Sequence, residues 1–433
     1  MPEKYDIIII GGGISGLYMA YKCLQKHKTV LIIEKEDRLG GRIYTKQLGI
    51  DNIHYDAGAG RISNNHHRVL SLIKTLKIAT NEITPSKIYR NINDKGLEIK
   101  KDTTSTLINE VINTVKDKAK YTTKDLQSTT FQVLCNDILG YDKAQQLRNM
   151  FGYDGEFKYC NAYDAIRMFT RDFQKLTTYR YLVNGMEDLI TSLLQYLQPY
   201  IESGKLTIIK NTPVKSFAYI DSIYHVHSKS KTVTSKVLIC ALPQKALLEI
   251  DGWTPKQQSL FRDSVSGISL HRIFCQFPHD TPNNWVVNIN RTITNDAIRQ
   301  IIPMNPQKGF IQISYSDTHY ADYWNHYAKQ SKTALIKELL IHLNIVFPEL
   351  KSKITPPKFI DSAYWPEGVH MWKPKINSNK MYKIILQPDK TAPLFIVGEA
   401  FSKDQCWIEG ALETVDDIFK TVMKSFKDYD IKK

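Results

Sequence analysis

At 433 residues, 42% hydrophobic and 24% charged, the chain has the composition of a globular protein of about two or three domains, which excludes a disordered, fibrous or disulfide-stapled one. The formal net charge of +14 suits acidic substrates or anionic cofactors, but the lysines are spread rather than blocked, which argues for a basic solvated surface and against a specific nucleic-acid partner. No apolar run reaches the length of a membrane span, and none of the six cysteines forms a CxxC pair, so neither a zinc ribbon nor a dithiol redox motif is visible.

In chain order, YDIIII (5–10) predicts a buried strand, GGGISG (11–16) a glycine turn, LYMAYKCLQKH a helix and TVLIIEK (29–35) a second buried strand. This is the start of a doubly wound parallel sheet. From about Thr103 to Phe173 the chain reads as helices, among them STLINEVINTVKDKA and FQVLCNDILGYDKAQQLRNMF. Strand patterns return in KLTIIKN, SFAYI, YHVHSKS and KVLICALP between 205 and 243, then in IFCQFP and FIQISYS between 273 and 316. TALIKELLIHLNIVF is an amphipathic helix, LFIVGEA (394–400) a buried strand, and IEGALETVDDIFKTVMKSF a closing helix. The fold class expected is α/β. A discontinuous Rossmann-like domain takes 1–75, 178–262 and 385–433. A helical insertion takes 76–177, and an interleaved α+β substrate domain with a mixed sheet takes 263–384.

Gly11, Gly13 and Gly16 spell GxGxxG where a dinucleotide needs it, after a strand and at a helix start. Glycines there allow a tight turn and let the backbone approach a pyrophosphate. The helix start at Ile14 and Ser15 offers free N–H groups and the positive end of a dipole. Glu34 ends the second strand, with Lys35 beside it, where an acid takes ribose hydroxyls. Arg38, the pair Gly40–Gly41 and Arg42 then form a second phosphate-facing turn, suited to a larger cofactor.

Glu34, Arg38, Gly40, Gly41, Arg42 and Thr45 fit the pattern E-x(3)-R-x-GGR-x-x-T, and in this the sequence resembles the flavin-containing amine oxidases. The resemblance continues along the chain. YRYLVNGMEDLI (179–190) is similar to a "GGM" segment, with Asn184 in place of the first glycine. NTPVKSF (211–217) is similar to a strand whose valine, here Val214, meets the adenine. VLICALP (237–243) is similar to a strand ending in a proline near the cofactor. VGEAFSKDQCWIEGAL (397–412) resembles the closing motif, which implies that Gly398 and Glu399 meet ribityl or phosphate groups. There Trp407 and Ile408 would face the flavin.

The resemblance implies FAD. Monoamine oxidases attach it through a cysteine that YWPEGVHMWKP (364–374) lacks, so non-covalent FAD is expected. Cys406 stands where many relatives have glycine and is expected to be a small packing residue. The family's lysine that holds a water near the flavin is also missing: GISLHRIFCQF (267–277) has none, and His271 or Arg272 stands there instead. A histidine could accept a proton, whereas an arginine supplies charge only.

In DAGAGRISNNHHR (56–68), Gly58, Ala59 and Gly60 let the backbone come close to a flat ligand, and Arg61 follows as a fixed cation. GAGRIS followed by HHR resembles L-amino-acid oxidases, which implies that Arg61 clamps the substrate carboxylate. A guanidinium is a planar fork matched to that group. The competing role is an ion pair with an FAD phosphate or with Asp56. Trp407, Trp365 and Trp372 are expected to wall the amine site, with Tyr153 from the helical insertion. The candidate catalytic residues are therefore Arg61, Trp407, His271, Arg272 and Trp365, with no metal.

The activity expected is oxidative deamination of an L-amino acid to an oxo acid, ammonia and hydrogen peroxide. Dioxygen is the expected acceptor. No secretory leader is visible, so a cytoplasmic location is expected; the oligomeric state, a homodimer included, is open. A mono- or polyamine oxidase is the alternative, and it predicts acids rather than Arg61 at the polar end of the pocket. A catalytically silent FAD-binding partner protein is a third reading, suggested by the missing lysine.

Overall fold

Four successive isoleucines, Ile7–Ile10, leave a strand no polar face, so it must be covered on both sides. The computed structural model describes residues 4–49, 53–83, 87–117, 120–172, 177–229, 231–280 and 284–431. The sequence-predicted ranges that reach into 1–3, 173–176 and 432–433 lie in part outside the described residues.

Strand Lys4–Ile10 lies inside a seven-stranded sheet. It pairs in parallel with Val30–Ile33, Ile7 opposite Val30, and with Thr232–Cys240, Ile10 opposite Cys240. Leu206–Ile209 extends the sheet beyond Val30–Ile33, and Leu394–Ile396 pairs in parallel with the end of Thr232–Cys240. The antiparallel strands Ile223–Ser228 and Val214–Ile220 complete it. Each fully buried isoleucine contributes about 1.5–3 kcal/mol, so this run anchors the sheet. The carboxyl ends of the parallel strands open onto Gly11, Glu34, Ala241 and Val397, at one edge. Helices Ile14–Leu24 and Ile408–Ile431 pack together beside it.

The second sheet is mixed. Its order is Phe359–Trp372, Val265–Gln276, Phe310–Asp317, Gln300–Asn305, Thr292–Thr294, Ile88–Asn93 and Gly96–Lys100. Ile268 faces Val369 while Leu270 faces Trp365, so Pro366, Glu367 and Gly368 bulge opposite Ser269 alone. Pro366 has no N–H for the ladder, and the bulge accommodates it. The fold is thus α/β: a Rossmann-like sheet built from distant parts of the chain, with a second mixed sheet and a helical segment.

Three sequence expectations change. The helical insertion does not begin at 76. Strand Thr80–Ile83 joins Ile62–Ser63 and Tyr179–Leu182, and Ile88–Asn93 with Gly96–Lys100 extends the second sheet. These strands are short and half-polar, so they carry little periodic signal; the Asn93–Gly96 turn, with Gly96 at φ +107°, is their readable cue. Helices occupy 104–172 and enclose their own core of Ile108, Val111, Phe131, Phe157 and Phe169. Second, the long predicted helix at 131–151 is two, Phe131–Leu139 and Tyr141–Phe151, broken at Gly140 with φ +79°. Third, the expected limits at 262/263 and 384/385 cut helices Pro255–Ser264 and Ser378–Leu386. Tyr382, Ile385 and Leu386 pack into the first core, so that helix goes with the Rossmann-like part. Among the described residues no helix is long and apolar enough to cross a membrane.

Candidate functional site

The glycine turn divides its labour. A Cβ on Gly11 would come within 2.5 Å of the Ala241 carbonyl, and one on Gly16 within 2.1 Å of the Gly11 carbonyl. These two glycines let chain segments touch. Gly13 differs: its φ is −74°, and a Cβ there would find nothing nearer than the Gly40 carbonyl at 4.0 Å. It faces open space. Gly41 and Gly398 are similarly open, with nearest atoms 3.6 and 3.7 Å from an added Cβ. Helix Ile14–Leu24 has no side-chain cap, and its first intrahelical bond is made by Leu17, which leaves the N–H groups of Ile14, Ser15 and Gly16 outside the helix ladder. An uncapped helix start facing open backbone fits an anionic dinucleotide.

Glu34 is buried at this edge and accepts from the Gly12 N–H at 2.7 Å and the Glu36 N–H at 3.0 Å. The Thr212 N–H donates to its carbonyl, which brings Val214 to the same edge. Arg38 is committed elsewhere than expected. Its guanidinium donates to the carbonyls of Leu39, Gly41 and Ile43 and so locks the second glycine turn. Lys35 is exposed beside Glu36. Glu399 is engaged within the chain. Its buried carboxylate accepts from Arg42 at 2.6 Å, from the His370 N–H and ring Nδ1, and from the Cys406 N–H. Burial would raise its pKa, yet Arg42 and His370 outweigh this and hold the carboxyl far below the usual range. These internal partners fix the carboxylate at the edge of the sheet.

Next to this edge lies a cavity of about 90 Å³. The glycine loop contributes Ala59, Gly60 and Arg61, and the start of the final helix contributes Cys406, Trp407 and Ile408. The helical segment adds Tyr153, Glu156 and Met168. The second sheet adds Leu270, Arg272, Tyr315, Asp317 and Val369.

Arg61 has its guanidinium carbon 5.0 Å from the Tyr179 ring and 5.5 Å from the Trp407 ring. Among the described residues no carboxylate pairs with it. Asp56, the competing partner, is occupied by the Thr45 hydroxyl at 2.6 Å and the Met186 N–H at 2.8 Å. The Trp407 Nε1–H is buried without a partner among the described residues, and its ring lies edge-on to His66, whose Nε2 is 3.6 Å from Asp172. Arg68, by contrast, is structural: it pairs with Glu409, which also accepts from the Arg68 and Val69 N–H groups.

The structure separates His271 from Arg272, because a strand sends neighbours to opposite faces. Arg272 lines the cavity, donates to the Asp56 carbonyl at 2.7 Å and lies 4.2 Å over the Tyr315 ring. His271 turns away. It is fully buried, neither ring nitrogen has a partner among the described residues, and burial pushes its pKa down to about 4. It does not line this cavity. Trp365 does not line the cavity either: its Nε1–H holds the Ala57 carbonyl at 2.8 Å, which braces the glycine loop from outside. Trp372 is buried in the first core and donates to the Ser402 carbonyl. Val369, just past the bulge of the same strand, takes the wall position.

Sequence reasoning missed two acids. Burial first, and then Asp317, raise the Glu156 carboxyl to about 8. Burial and Asp154 raise Asp317 to about 6, although it accepts from the Asp154 and Gly155 N–H groups. Glu156 stands three residues from the Tyr153 already singled out in GYDGEF, so proximity was a signal. Asp317 ends an ordinary strand and gave none.

The family profile described as flavin containing amine oxidoreductase matches residues 14–414. Achacin of Lissachatina fulica is 22% identical over 96% of this chain and 93% of its own. Amine oxidase [flavin-containing] A of Equus caballus is 40% identical over 82 residues, which cover 19% of this chain and 15% of that one. The structure of putrescine oxidase bound to putrescine superimposes with a TM-score of 0.74 at 16% identity, covering 97% of this chain and 99% of that one.

Proposed function

Because this chain belongs to the flavin-containing amine oxidoreductases, we propose that it oxidises an L-amino acid to its oxo acid, ammonia and hydrogen peroxide. The observation that carries this reading is Arg61, a cation that lines the cavity with no carboxylate partner among the described residues. A desolvated cation without a counter-ion is costly, and a substrate carboxylate supplies one in a bidentate pair.

FAD fits the open edge. The uncapped helix at Ile14–Gly16 would take its pyrophosphate, Glu34 its ribose, and the open backbone at Gly13, Gly41 and Gly398 would allow close approach. Non-covalent attachment is supported by the lack of a thiol in 364–374, and by burial that pushes the Cys406 thiol well above its ordinary pKa. Bound FAD supplies a two-electron acceptor for the substrate's Cα–H bond, and dioxygen then takes up those electrons as hydrogen peroxide. Arg61 would fix the carboxylate and with it the α-carbon. Trp407 would keep water from a neutral amine. Arg272 would place a fixed positive charge against the loop at Gly60. The resulting imine hydrolyses to oxo acid and ammonia.

The second reading, oxidation of a simple amine or diamine, is favoured by Glu156 and Asp317 in the same cavity. The visible spectrum of the purified protein without oxygen decides between the two. Bleaching of the flavin band by L-amino acids and not by simple amines supports the first reading, and the reverse overturns it. With amino acids, Arg61→Met should raise KM by about 100-fold, the worth of a lost charged hydrogen-bond pair.

A further inference from the structure

Arg61 and the flavin edge leave one part of the cavity without a role. Glu156 lines it, and apart from its own backbone N–H the carboxylate has no hydrogen-bond partner among the described residues. Asp317 holds the backbone N–H groups of Asp154 and Gly155 and so fixes the turn from which Glu156 projects. Tyr153 is 8% exposed and lines the same space, and its hydroxyl has no partner among the described residues. The cavity thus holds two guanidinium groups and two carboxylates; Arg272 is committed to the Asp56 carbonyl, and among the described residues neither Arg61 nor Arg272 makes an ion pair with Glu156 or Asp317.

We infer that the cavity selects an amino acid with a second cation at the end of its side chain, an ammonium or guanidinium, with Glu156 as its counter-ion and the Tyr153 hydroxyl beside it. This rests on the amino-acid reading of Arg61. Two neighbouring acids repel, and a cation between them removes the penalty. That cation is not the α-amine. An acid against the α-amine would hold it protonated and block loss of the α-hydrogen, whereas an acid at the far end does neither. The α-carboxylate goes to Arg61 and the distal charge to Glu156, which fixes the substrate at both ends. Glu156 and Asp317 come from different elements than Arg61, the helix Gly155–Lys158 and the end of strand Phe310–Asp317, so this end can vary without disturbing the glycine loop.

The test is anaerobic flavin reduction of the holoenzyme by L-lysine, L-arginine, L-norleucine and cadaverine. Norleucine has the length of lysine without the charge, and cadaverine has both amines without the carboxylate. The expected result is reduction by L-lysine or L-arginine at a half-saturating concentration about tenfold or more below that of norleucine, the scale of one hydrogen-bonded charge pair. Glu156→Gln should shrink that ratio toward one. Norleucine equal to or better than the basic amino acids overturns this inference and leaves amino-acid oxidation standing. Reduction by cadaverine alone, or by none of the four, overturns both. The comparison of substrates on the wild-type protein is decisive even if the variant does not fold.

Discussion

Arg42 donates to Glu399 across 2.6 Å and so joins residues 357 positions apart in the chain. One follows the glycine turn of the first strands and the other follows the last strand. The same carboxylate also receives His370, so one buried acid ties together the second glycine turn, the long bulged strand and the closing motif. Removing one partner of a buried pair leaves the other charged and unmatched, at about 3–5 kcal/mol. Arg42 is partly exposed, so the lower end applies. Glu399→Gln should destabilise the protein by about 3 kcal/mol in urea unfolding at pH 7. A carboxyl held below its ordinary pKa contributes stability above that value and loses it as pH falls. The gap between wild type and Glu399→Gln should therefore narrow below about pH 4.

Glu156 has the opposite sign. Its folded pKa, about 8, lies above the ordinary 4.5, so the folded state binds the proton more tightly. Stability is lost as pH rises from about 4.5 to about 8. Glu156→Gln should raise the melting temperature at pH 9 and leave it nearly unchanged at pH 4. Thermal unfolding at those two pH values measures this, and an equal shift at both would contradict the burial argument.

The glycines allow fold and ligand to be tested apart. Gly13→Ala places its methyl in open space at a φ that alanine adopts freely, so the apoprotein should be as stable as wild type or up to about 1 kcal/mol more so. Its retention of FAD through gel filtration should fall. Gly16→Ala drives a methyl into the Gly11 carbonyl and should lower the stability of the apoprotein itself.

Arg272 is the charge nearest the place where the family's lysine is missing. It donates to the Asp56 carbonyl and its guanidinium comes within 3.2 Å of a Cβ built on Gly60. Arg272→Met should slow reoxidation of the reduced flavin by dioxygen by about 10–100-fold, as expected when a preorganised charge is removed from a developing anion. Stopped-flow mixing of the reduced protein with dioxygen reads this directly. Under the same logic His271→Asn should leave the reoxidation rate unchanged, because that ring faces the other side of the strand.

Local motifs were legible because their physics is local. Gly11–Gly16 and Glu34 announce a strand, a tight turn and a helix start within about 25 residues. Arg61 was legible through the small residues before it. The choice between His271 and Arg272 was not, since it depends on which face of Val265–Gln276 meets the cavity, and that is set by pairing with the distant strands Phe310–Asp317 and Phe359–Trp372. Asp317 was invisible for a similar reason: a carboxylate at a strand end becomes part of a cavity only when Asp154 and Gly155 are packed against it. Trp365 and Trp372 misled because an aromatic residue in a cavity-lining strand has two faces to choose from, and here both indoles spend their N–H on backbone carbonyls.

The order of the strands also bears on how the chain acquires its form during synthesis. The glycine turn emerges first, yet the strand Thr232–Cys240 beside it arrives about 230 residues later, and Leu394–Ile396 later still. Until then the isoleucines of Lys4–Ile10 lack a partner on one flank and are exposed to wrong pairings. Strand pairs this distant in sequence also make for slow folding. A chain stopped before residue 394 would lack both the strand that pairs with the end of Thr232–Cys240 and the helix that packs on Ile14–Leu24, so its dinucleotide edge would stand open on one side.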